Sequence, residues 1–399
     1  MPAAPASNLL VLLSAGAALA WLLRPRWRSN ADWRATLTPL ASIIGSGFLV
    51  LAPLLLRHFG VHAATMMVAL CALAYAVGAA IRHNIAAIED GTADPPALAA
   101  IETVSSWALA FAYVVSVAYY LNLLGAFALA GVAGAPAAAA RAVATAVLVL
   151  MAVLGWRGGL RALEKAEAFT VALKLAVIAG LLAGMAAALG TTPVPKGAPP
   201  EPVQAFDALR LAFGMVITVQ GFETSRYLRG AYDAATRVRT MRRAQIAASV
   251  IYVVYIALAS RLFDAATVPA SETAIIDLTA SVASALPPML VVAALAAQFS
   301  AAVADTGGCG GLVHELSGQR MPPRLAYVAL AIGATLLTWS ADVFEIISHA
   351  SRAFALYYAL QCGLAAARAW QRRHTLRASG FALLTAVMAA ATVLGIPAG

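Results

Sequence analysis

Long apolar blocks recur from one end of the chain to the other, and short polar stretches separate them. Most blocks approach the roughly 20 residues that a helix needs to cross about 30 Å of hydrocarbon. We therefore predict one all-α, multi-pass membrane domain over residues 1–399, with about 12 transmembrane helices. The predicted helices, numbered 0 to 11, cover about 7–23, 36–57, 62–81, 101–131, 138–155, 165–189, 205–229, 243–263, 281–305, 325–340, 343–369 and 377–396.

Helix 1 contains an interruption, Gly45-Ser46-Gly47, inside an otherwise continuous apolar segment. Hydrocarbon offers no water to the backbone groups that a broken helix leaves unpaired, so a break is tolerated only where it lines a cavity or is buried in protein. Glycine supplies the backbone freedom that the break requires. We interpret this segment as a discontinuous helix at a binding site.

A second interruption opens the other half of the chain. A Gly- and Pro-rich linker at residues 190–200 divides the sequence near its middle, and helix 6 after it contains Val219-Gln220-Gly221-Phe222-Glu223-Thr224-Ser225. Interrupted helices at corresponding positions of two halves indicate a transporter site at the interface of two repeats. Five helices form the first repeat, about 36–189, so the second, about 205–369, starts from the opposite side of the membrane. The order of elements predicts a 5+5 inverted repeat, preceded by the extra N-terminal helix.

Composition and charge agree with this topology. The chain is 62% hydrophobic and 11% charged, which excludes an ordinary soluble protein. Its net charge of +9 is not gathered on a soluble module, so we expect the lipid bilayer and no nucleic acid as partner. Of the 27 Lys and Arg, 20 fall in alternate loops and 4 in the opposite loops. The positive-inside rule makes the first set of loops cytoplasmic, so both termini of this cell-membrane protein are predicted outside.

The two interruptions resemble motifs of the amino acid-polyamine-organocation (APC) permeases, through Gly45-Ser46-Gly47-Phe48 with Pro53 and through Gly221-Phe222-Glu223. Lys174 on helix 5 and Met321-Pro322-Pro323 after helix 8 extend the resemblance over about 36–370. It implies a LeuT-type fold with discontinuous helices 1 and 6, and a secondary transporter of a small amino acid or related organic amine. The chain departs from the family at residues 229–235, which replace acidic residues and an Asn-Pro, and at Ile217, where some members have a gating Trp. The substrate therefore stays open.

Backbone groups at the breaks form the predicted substrate site. Unpaired N–H groups at a half-helix N-terminus suit a carboxylate, and carbonyls at the other break suit an ammonium or a cation. An amino acid zwitterion fits both. The alternative is that the glycines only allow close helix packing. The candidate substrate-binding residues are Ile44, Gly45, Ser46, Gly47, Gln220, Gly221, Phe222 and Tyr119.

Two charged residues at membrane depth are the candidates for proton coupling. Glu223 lies at the second break, where a carboxyl can accept a proton; its alternative is a pair with Arg226 within the helix. Lys174 lies nine residues beyond Lys165, about 13 Å deeper at about 1.5 Å per residue. In proton-dependent relatives a helix 5 lysine takes the place of the bound sodium ion. The alternative for Lys174 is a structural pair with Asp305.

Further polar residues form a second tier of candidates. Ser300 on helix 8 could help to bind sodium, but no Ser/Thr pair accompanies it, so protons are favoured. Asn122 in the middle of helix 3 could face a substrate, and Arg352 could pair with Glu345 or gate the outer vestibule. The three cysteines predict packing rather than a disulfide or a metal site. No phosphate-loop, zinc-protease or nucleophile-elbow motif is present, so we expect neither an enzyme nor a cofactor.

Two other functions stay open at this point. A sensor or accessory protein could keep this fold without transport. An inorganic-cation carrier could use the same backbone carbonyls. The oligomeric state is not indicated.

Overall fold

The computed structural model describes residues 5–45, 47–89, 94–132, 134, 136–158, 167–190, 204–230 and 232–397. Within these ranges the chain is helical and no strand is assigned. Ser46 and most of the Pro-rich linker, residues 191–203, lie outside the described residues.

The first half forms α1 to α8, and a short 3-10 turn joins α4 to α5. Their bounds are α1 Pro5–Leu22, α2 Pro25–Ser29, α3 Ala31–Ile43, α4 Gly47–Phe59, α5 Ala63–Glu89, α6 Pro96–Leu129, α7 Ala137–Gly158 and α8 Glu167–Ala188. The second half begins with α9, Ala205–Gly214, which two 3-10 segments continue, Val216–Val219 and Phe222–Gly230. It ends with α10 Ala234–Leu262, α11 Ala274–Ala280, α12 Leu286–Leu316, α13 Pro323–Ser340, α14 Val343–Gln371 and α15 Thr375–Leu394.

In the described part of the chain, seven helical stretches are long and apolar enough to cross a membrane. They are Gly47–Glu89, Pro96–Leu129, Ala137–Arg157, Phe169–Ala188, Ala234–Leu262, Leu286–Leu316 and Thr375–Leu394. The interrupted elements α3, α4 and α9 are each shorter than one membrane crossing. The protein is thus an all-helical, multi-pass membrane protein, while the total of twelve membrane helices and the 5+5 repeat stay predictions.

Several helices start earlier than the apolar pattern predicts. Predicted helix 1, whose first half is α3, begins at Ala31 instead of 36. The side chain of Asn30 caps it by accepting a hydrogen bond from the Trp33 amide at 2.9 Å. Predicted helix 7, which is α10, begins at Ala234 instead of 243. The side chain of Asp233 caps it by accepting a hydrogen bond from the Thr236 amide. Both extensions are polar, so a search for apolar blocks misses them.

Two helices also continue past their predicted ends. Predicted helix 2, which is α5, runs to Glu89 instead of 81. Predicted helix 8, which is α12, runs from Leu286 to Leu316 instead of over 281–305. The glycines at 307, 308, 310 and 311 lie beyond the predicted end of helix 8, yet they are helical. A β-carbon on Gly310 would lie 2.2 Å from the ring of Tyr327, so glycine here makes room for α13.

The core of the fold is α6, which packs against α12 and α14 and is almost fully buried along its membrane-spanning part. The extra helix α1 packs on α8. A β-carbon on Gly180 would lie 2.9 Å from the carbonyl oxygen of Val11, and one on Gly184 would lie 2.7 Å from its side chain. Two glycines one helical turn apart therefore leave room for Val11, so that α1 packs closely against α8.

Candidate functional site

The first break separates α3 from α4, as the glycines predict. Ile44, fully buried, ends α3 with its amide still bonded to the Leu40 carbonyl at 2.9 Å. The last carbonyls of a helix lack partners in their own helix. Here side chains supply them: the Lys174 Nζ donates to the Ala41 carbonyl at 2.5 Å, and the Tyr252 hydroxyl lies 2.9 Å from the Ile43 carbonyl.

The second break follows α9. The backbone is extended at Gln220 and takes a positive φ of 113° at Gly221 before the next 3-10 segment begins. Ser351 of α14 bridges the end of α9, donating to the Gly214 carbonyl at 2.7 Å and accepting from the Ile217 amide at 3.1 Å. The predicted interruption is present, and it starts before the Gln220-Gly221-Phe222 motif.

The two breaks touch each other. A β-carbon on Gly221 would lie 2.5 to 2.7 Å from atoms of Ser42 and Ile43, and one on Gly47 would lie 2.7 Å from the Thr218 Cα. The hydroxyl of Tyr252 stands between them, 2.9 Å from the Ile43 carbonyl and 2.8 Å from the Thr218 carbonyl. The breaks therefore form one junction at the middle of the fold.

Glu223 lies at this junction, and only 1% of its surface is exposed. Its Oε2 accepts hydrogen bonds from the Gly221 amide at 3.0 Å and from the Tyr358 hydroxyl at 2.7 Å. Phe222 stacks on the Tyr358 ring, with centroids 5.2 Å apart. The alternative pair with Arg226 is not formed, since Arg226 turns to Glu102 of α6.

A second buried carboxyl, Asp305 of α12, lies near the first. The Ser116 hydroxyl donates to its Oδ2 at 2.5 Å, and Tyr120 is within hydrogen-bonding reach. The Tyr120 hydroxyl also accepts from the Gln220 amide at 3.0 Å, which connects Asp305 to the second break. Tyr119, fully buried, packs against the Tyr120 ring.

Lys174 of α8 is 5% exposed, and its ammonium lies at the carboxyl end of α3, where the helix dipole is negative. No salt bridge joins Lys174 to Asp305 in the described part of the chain, so the alternative pair is not formed. A cavity of about 20 Å³ adjoins Lys174 and is lined by Ile44, Gly45 and Gln298 among others. Its volume is room for about one water.

The remaining candidates lie apart from the junction or contact it indirectly. Asn122 donates to Thr338 of α13 at 2.8 Å. Arg352 donates to the carbonyls of Val393 and Gly395 at 3.1 and 3.0 Å, so it caps the end of α15 rather than pairing with Glu345. Ser300 is half-buried on α12.

Four hydroxyl residues at the junction were not predicted from the sequence: Ser116, Tyr252, Ser351 and Tyr358. Each lies in a long apolar helix, where tyrosine and serine are ordinary packing residues. One signal was present for Tyr252, because a broken helix must have its free carbonyls satisfied by some donor. The sequence does not say which neighbouring helix supplies it.

Ion pairs gather at the arginine-rich end of the segment that follows the second break. Arg226 pairs with Glu102 of α6, and Arg237 of α10 pairs with Glu89 of α5. Arg237 also donates to the Arg226 carbonyl at 2.9 Å. The second broken helix is therefore tied to α5, α6 and α10 at this end.

Arg368 of α14 extends the ion pairs to the loop before α6. It donates to Asp94 at 2.5 Å and lies 3.6 Å from Glu102. The guanidinium holds the pKa of the Asp94 carboxyl below its ordinary value of 3.8, chiefly through the hydrogen bond. Arg368 itself is almost fully buried, while Asp94 keeps 25% of its side chain exposed.

Comparisons with known proteins agree with this architecture. A family model described as an APC superfamily transporter matches residues 25–395. A protein of Aquifex aeolicus (strain VF5), described as uncharacterized, is 37% identical over 379 residues, covering 93% of this chain and 92% of its own length.

A solved structure shares the fold. It is a Na+-coupled sialic acid symporter in a substrate-bound outward-open state, 13% identical, with a TM-score of 0.51 over 98% of each chain. The neighbour is thus a transporter built on a similar helical architecture, and the family model covers nearly the whole chain. The chain belongs to the APC superfamily of transporters.

Proposed function

We propose that the protein is a secondary active transporter that moves a small amino acid or related organic amine, coupled to protons, by alternating access. The observation that carries the proposal is the junction of two broken helices beside a buried carboxyl. Gly221 and Gly47 hold the breaks in contact, and Glu223 lies where the backbone turns. The family match and the symporter neighbour support secondary transport.

The fold in this proposal is the LeuT-type 5+5 inverted repeat. Its support is the position of the breaks, since α3 and α4 open the first half and α9 opens the second. The extra helix α1 precedes the first repeat and α15 follows the second. The membrane is the cell membrane, with the arginine-rich loops in the cytoplasm and both termini outside.

The substrate binds between the breaks in this proposal. The N-terminus of α4 at Gly47 carries the partial positive charge of a helix dipole and suits a carboxylate. Two buried carboxyls, Glu223 and Asp305, suit an ammonium group on the other side. Gln220 and Tyr120 lie between the two carboxyls and supply polar contacts for orientation. Ser46 and Tyr119 remain proposed contacts.

Proton coupling is assigned to Glu223 and Lys174. The Oε2 of Glu223 accepts hydrogen bonds from the Gly221 amide and the Tyr358 hydroxyl, and these bonds hold the carboxyl in place while it exchanges a proton. Lys174 provides a positive charge at the carbonyls of α3 that a bound cation would otherwise supply. A change in the protonation of either group alters the charge at the junction and favours one of the two access states.

Uptake into proteoliposomes tests this proposal. Radiolabelled amino acids and amines are offered with an imposed proton gradient to wild type, Glu223→Gln and Lys174→Ala. We expect wild type to accumulate a substrate and both variants to lose gradient-driven accumulation. Asp207→Asn is the matched control, because Asp207 is half-exposed and its ion pair in the described part of the chain is the local one with Arg210. Equal proton-driven uptake by both variants and wild type would contradict the coupling residues.

An inorganic-cation carrier is the second candidate. The observation in its favour is that the carbonyl oxygens of Ile43 and Thr218, one from each break, lie 2.9 and 2.8 Å from the same Tyr252 hydroxyl, because carbonyl oxygens at broken helices can bind small cations. Uptake of rubidium or sodium that organic amines do not compete with would favour this candidate over the first.

A further inference from the structure

A cavity of about 530 Å³ lies away from the junction, between the N-terminal helices and the main body. Its walls come from α1, α2, α3, α8 and α10. Neither Glu223 nor Asp305 lines it, and among the described residues Ile178 is the one lining residue that it shares with the small cavity beside Lys174. The seating of α1 on α8 through Val11 creates one wall, so the extra helix forms the cavity together with the body.

The lining changes from polar to apolar along α3. Asp32 and Asn30 lie at one end of the cavity, and Leu40 lies eight residues further along the helix, about 12 Å deeper at about 1.5 Å per residue. Opposite the deep part stand apolar residues of α8, including Ile178 and Leu182. The cavity therefore has a charged mouth and a hydrocarbon interior.

Three tryptophans mark the level of the mouth. Trp21, Trp27 and Trp33 contact one another, with ring centroids 4.7 to 5.9 Å apart, and all three line the cavity. Tryptophan is enriched where a membrane meets water, at the depth of the lipid headgroups. The mouth thus lies at headgroup level and the apolar part extends toward the bilayer centre.

The charge at the mouth is positive. Asp32 bonds both Arg239 and Arg243, and Asp233 interacts with Arg239, so these two carboxylates balance these two arginines and the excess positive charge comes from the neighbouring arginines. Arg243 keeps 56% of its side chain exposed beside the cavity. Further exposed arginines lie in the chain segments that form this end of the cavity, at positions 24, 26 and 34. An anion of the membrane surface is attracted to such a cluster.

We propose that this cavity binds an anionic phospholipid of the cytoplasmic leaflet. One acyl chain occupies the apolar part between α3 and α8, and the phosphate bonds Arg243 at the mouth. The bound lipid joins α3, the first half of the broken helix, to α8 and α10, and so stabilises the junction side of the protein. The proposal needs a bilayer and the cytoplasmic orientation but no particular substrate.

Lipid binding is measured on the full-length protein in detergent by native mass spectrometry and by thermal unfolding. The probes are phosphatidylglycerol and phosphatidylcholine with identical acyl chains. We expect the protein to retain phosphatidylglycerol preferentially and to unfold at a higher temperature with it. Arg243→Gln should weaken retention about fivefold, the effect of one basic residue at an anionic surface. Arg320→Gln removes an exposed arginine outside the cavity, on the face that the charge pattern predicts to be cytoplasmic, and should leave retention unchanged.

A second variant tests the acyl-chain part separately. Leu182→Trp fills the apolar part of the cavity without reaching the cavity beside Lys174, and it should lower phosphatidylglycerol retention while Arg243 is intact. Equal retention of the two lipids by wild type, or equal losses in Arg243→Gln and Arg320→Gln, would overturn the proposal. Competition by glycerol phosphate, which lacks acyl chains, as effective as the lipid itself would also overturn it, because the site would then take a water-soluble anion. None of these readouts depends on transport.

Discussion

The contact between the two breaks leads to a quantitative prediction for Gly221→Ala. The backbone of Gly221 has φ of 113°, a region that residues with a side chain rarely occupy. Holding alanine there costs about 1–3 kcal/mol. The new methyl group would also lie 2.6 Å from the Ser42 carbonyl carbon and 2.7 Å from the Ile43 amide nitrogen. These are backbone atoms of a packed helix, so relief requires α3 to move, at a further cost of about 1–3 kcal/mol.

The two costs together are about 2–6 kcal/mol, a large part of the about 5–15 kcal/mol that separates a folded protein from its unfolded state. We expect Gly221→Ala to lower the unfolding temperature in detergent and to abolish uptake, since relief of the clash displaces the backbone amide that bonds Glu223. Thermal unfolding followed by a thiol-reactive dye measures the first effect, and proteoliposome uptake measures the second.

Gly311→Ala is the matched control. Gly311 lies inside α12 with open space where a β-carbon would stand, so alanine should raise stability by about 0.5–1 kcal/mol. If Gly221→Ala unfolds at the same temperature as Gly311→Ala and transports normally, the two breaks are not held together as described, and the reasoning from their contact fails.

Two further substitutions have defined outcomes. Tyr252→Phe removes the hydroxyl between the two break carbonyls and should lower the unfolding free energy by about 1–3 kcal/mol. Tyr255→Phe, whose hydroxyl has no hydrogen-bond partner among the described residues, should be close to neutral in the same unfolding assay, and equal effects of the two changes would argue against the bridge. Asp94→Asn should lower the unfolding temperature at pH 7, because Arg368 lowers the pKa of Asp94 in the folded state. That stabilisation is present above the ordinary pKa of 3.8 and is lost as pH falls through the lowered pKa of Asp94. The difference in unfolding temperature between Asp94→Asn and wild type should therefore shrink below pH 3.8. An identical loss in Asp207→Asn would contradict the assignment of this stabilisation to the Asp94–Arg368 pair.

The breaks could be predicted because glycine and serine inside an apolar segment are a local signal. Gly45 and Gly221 mark positions where the backbone leaves the helix, and both positions are interrupted in the structure. The burial of Lys174 followed from its distance along the helix to the polar edge. These inferences need only the local sequence and the length of a helix.

The partners at the junction could not be predicted, since they depend on which helices become neighbours. Arg352 was expected near Glu345 or an outer gate, yet the last residues of α15 come close enough for it to cap them. Tyr358 and Tyr252 lie in apolar helices where nothing local distinguishes a tyrosine that faces Glu223 or a free carbonyl from one that faces lipid. The polar starts of α3 and α10 were missed because their capping residues, Asn30 and Asp233, lie outside the apolar blocks.

The seating of Val11 between Gly180 and Gly184 has a practical consequence for observing this protein at work. Because α1 is fixed to α8, a reporter on the outer face of α1 moves with the helix that carries Lys174, without touching the junction. Leu13 is 62% exposed on α1, and all three native cysteines are buried. A fluorophore on Leu13→Cys would therefore label one position selectively and report in real time how α8 moves.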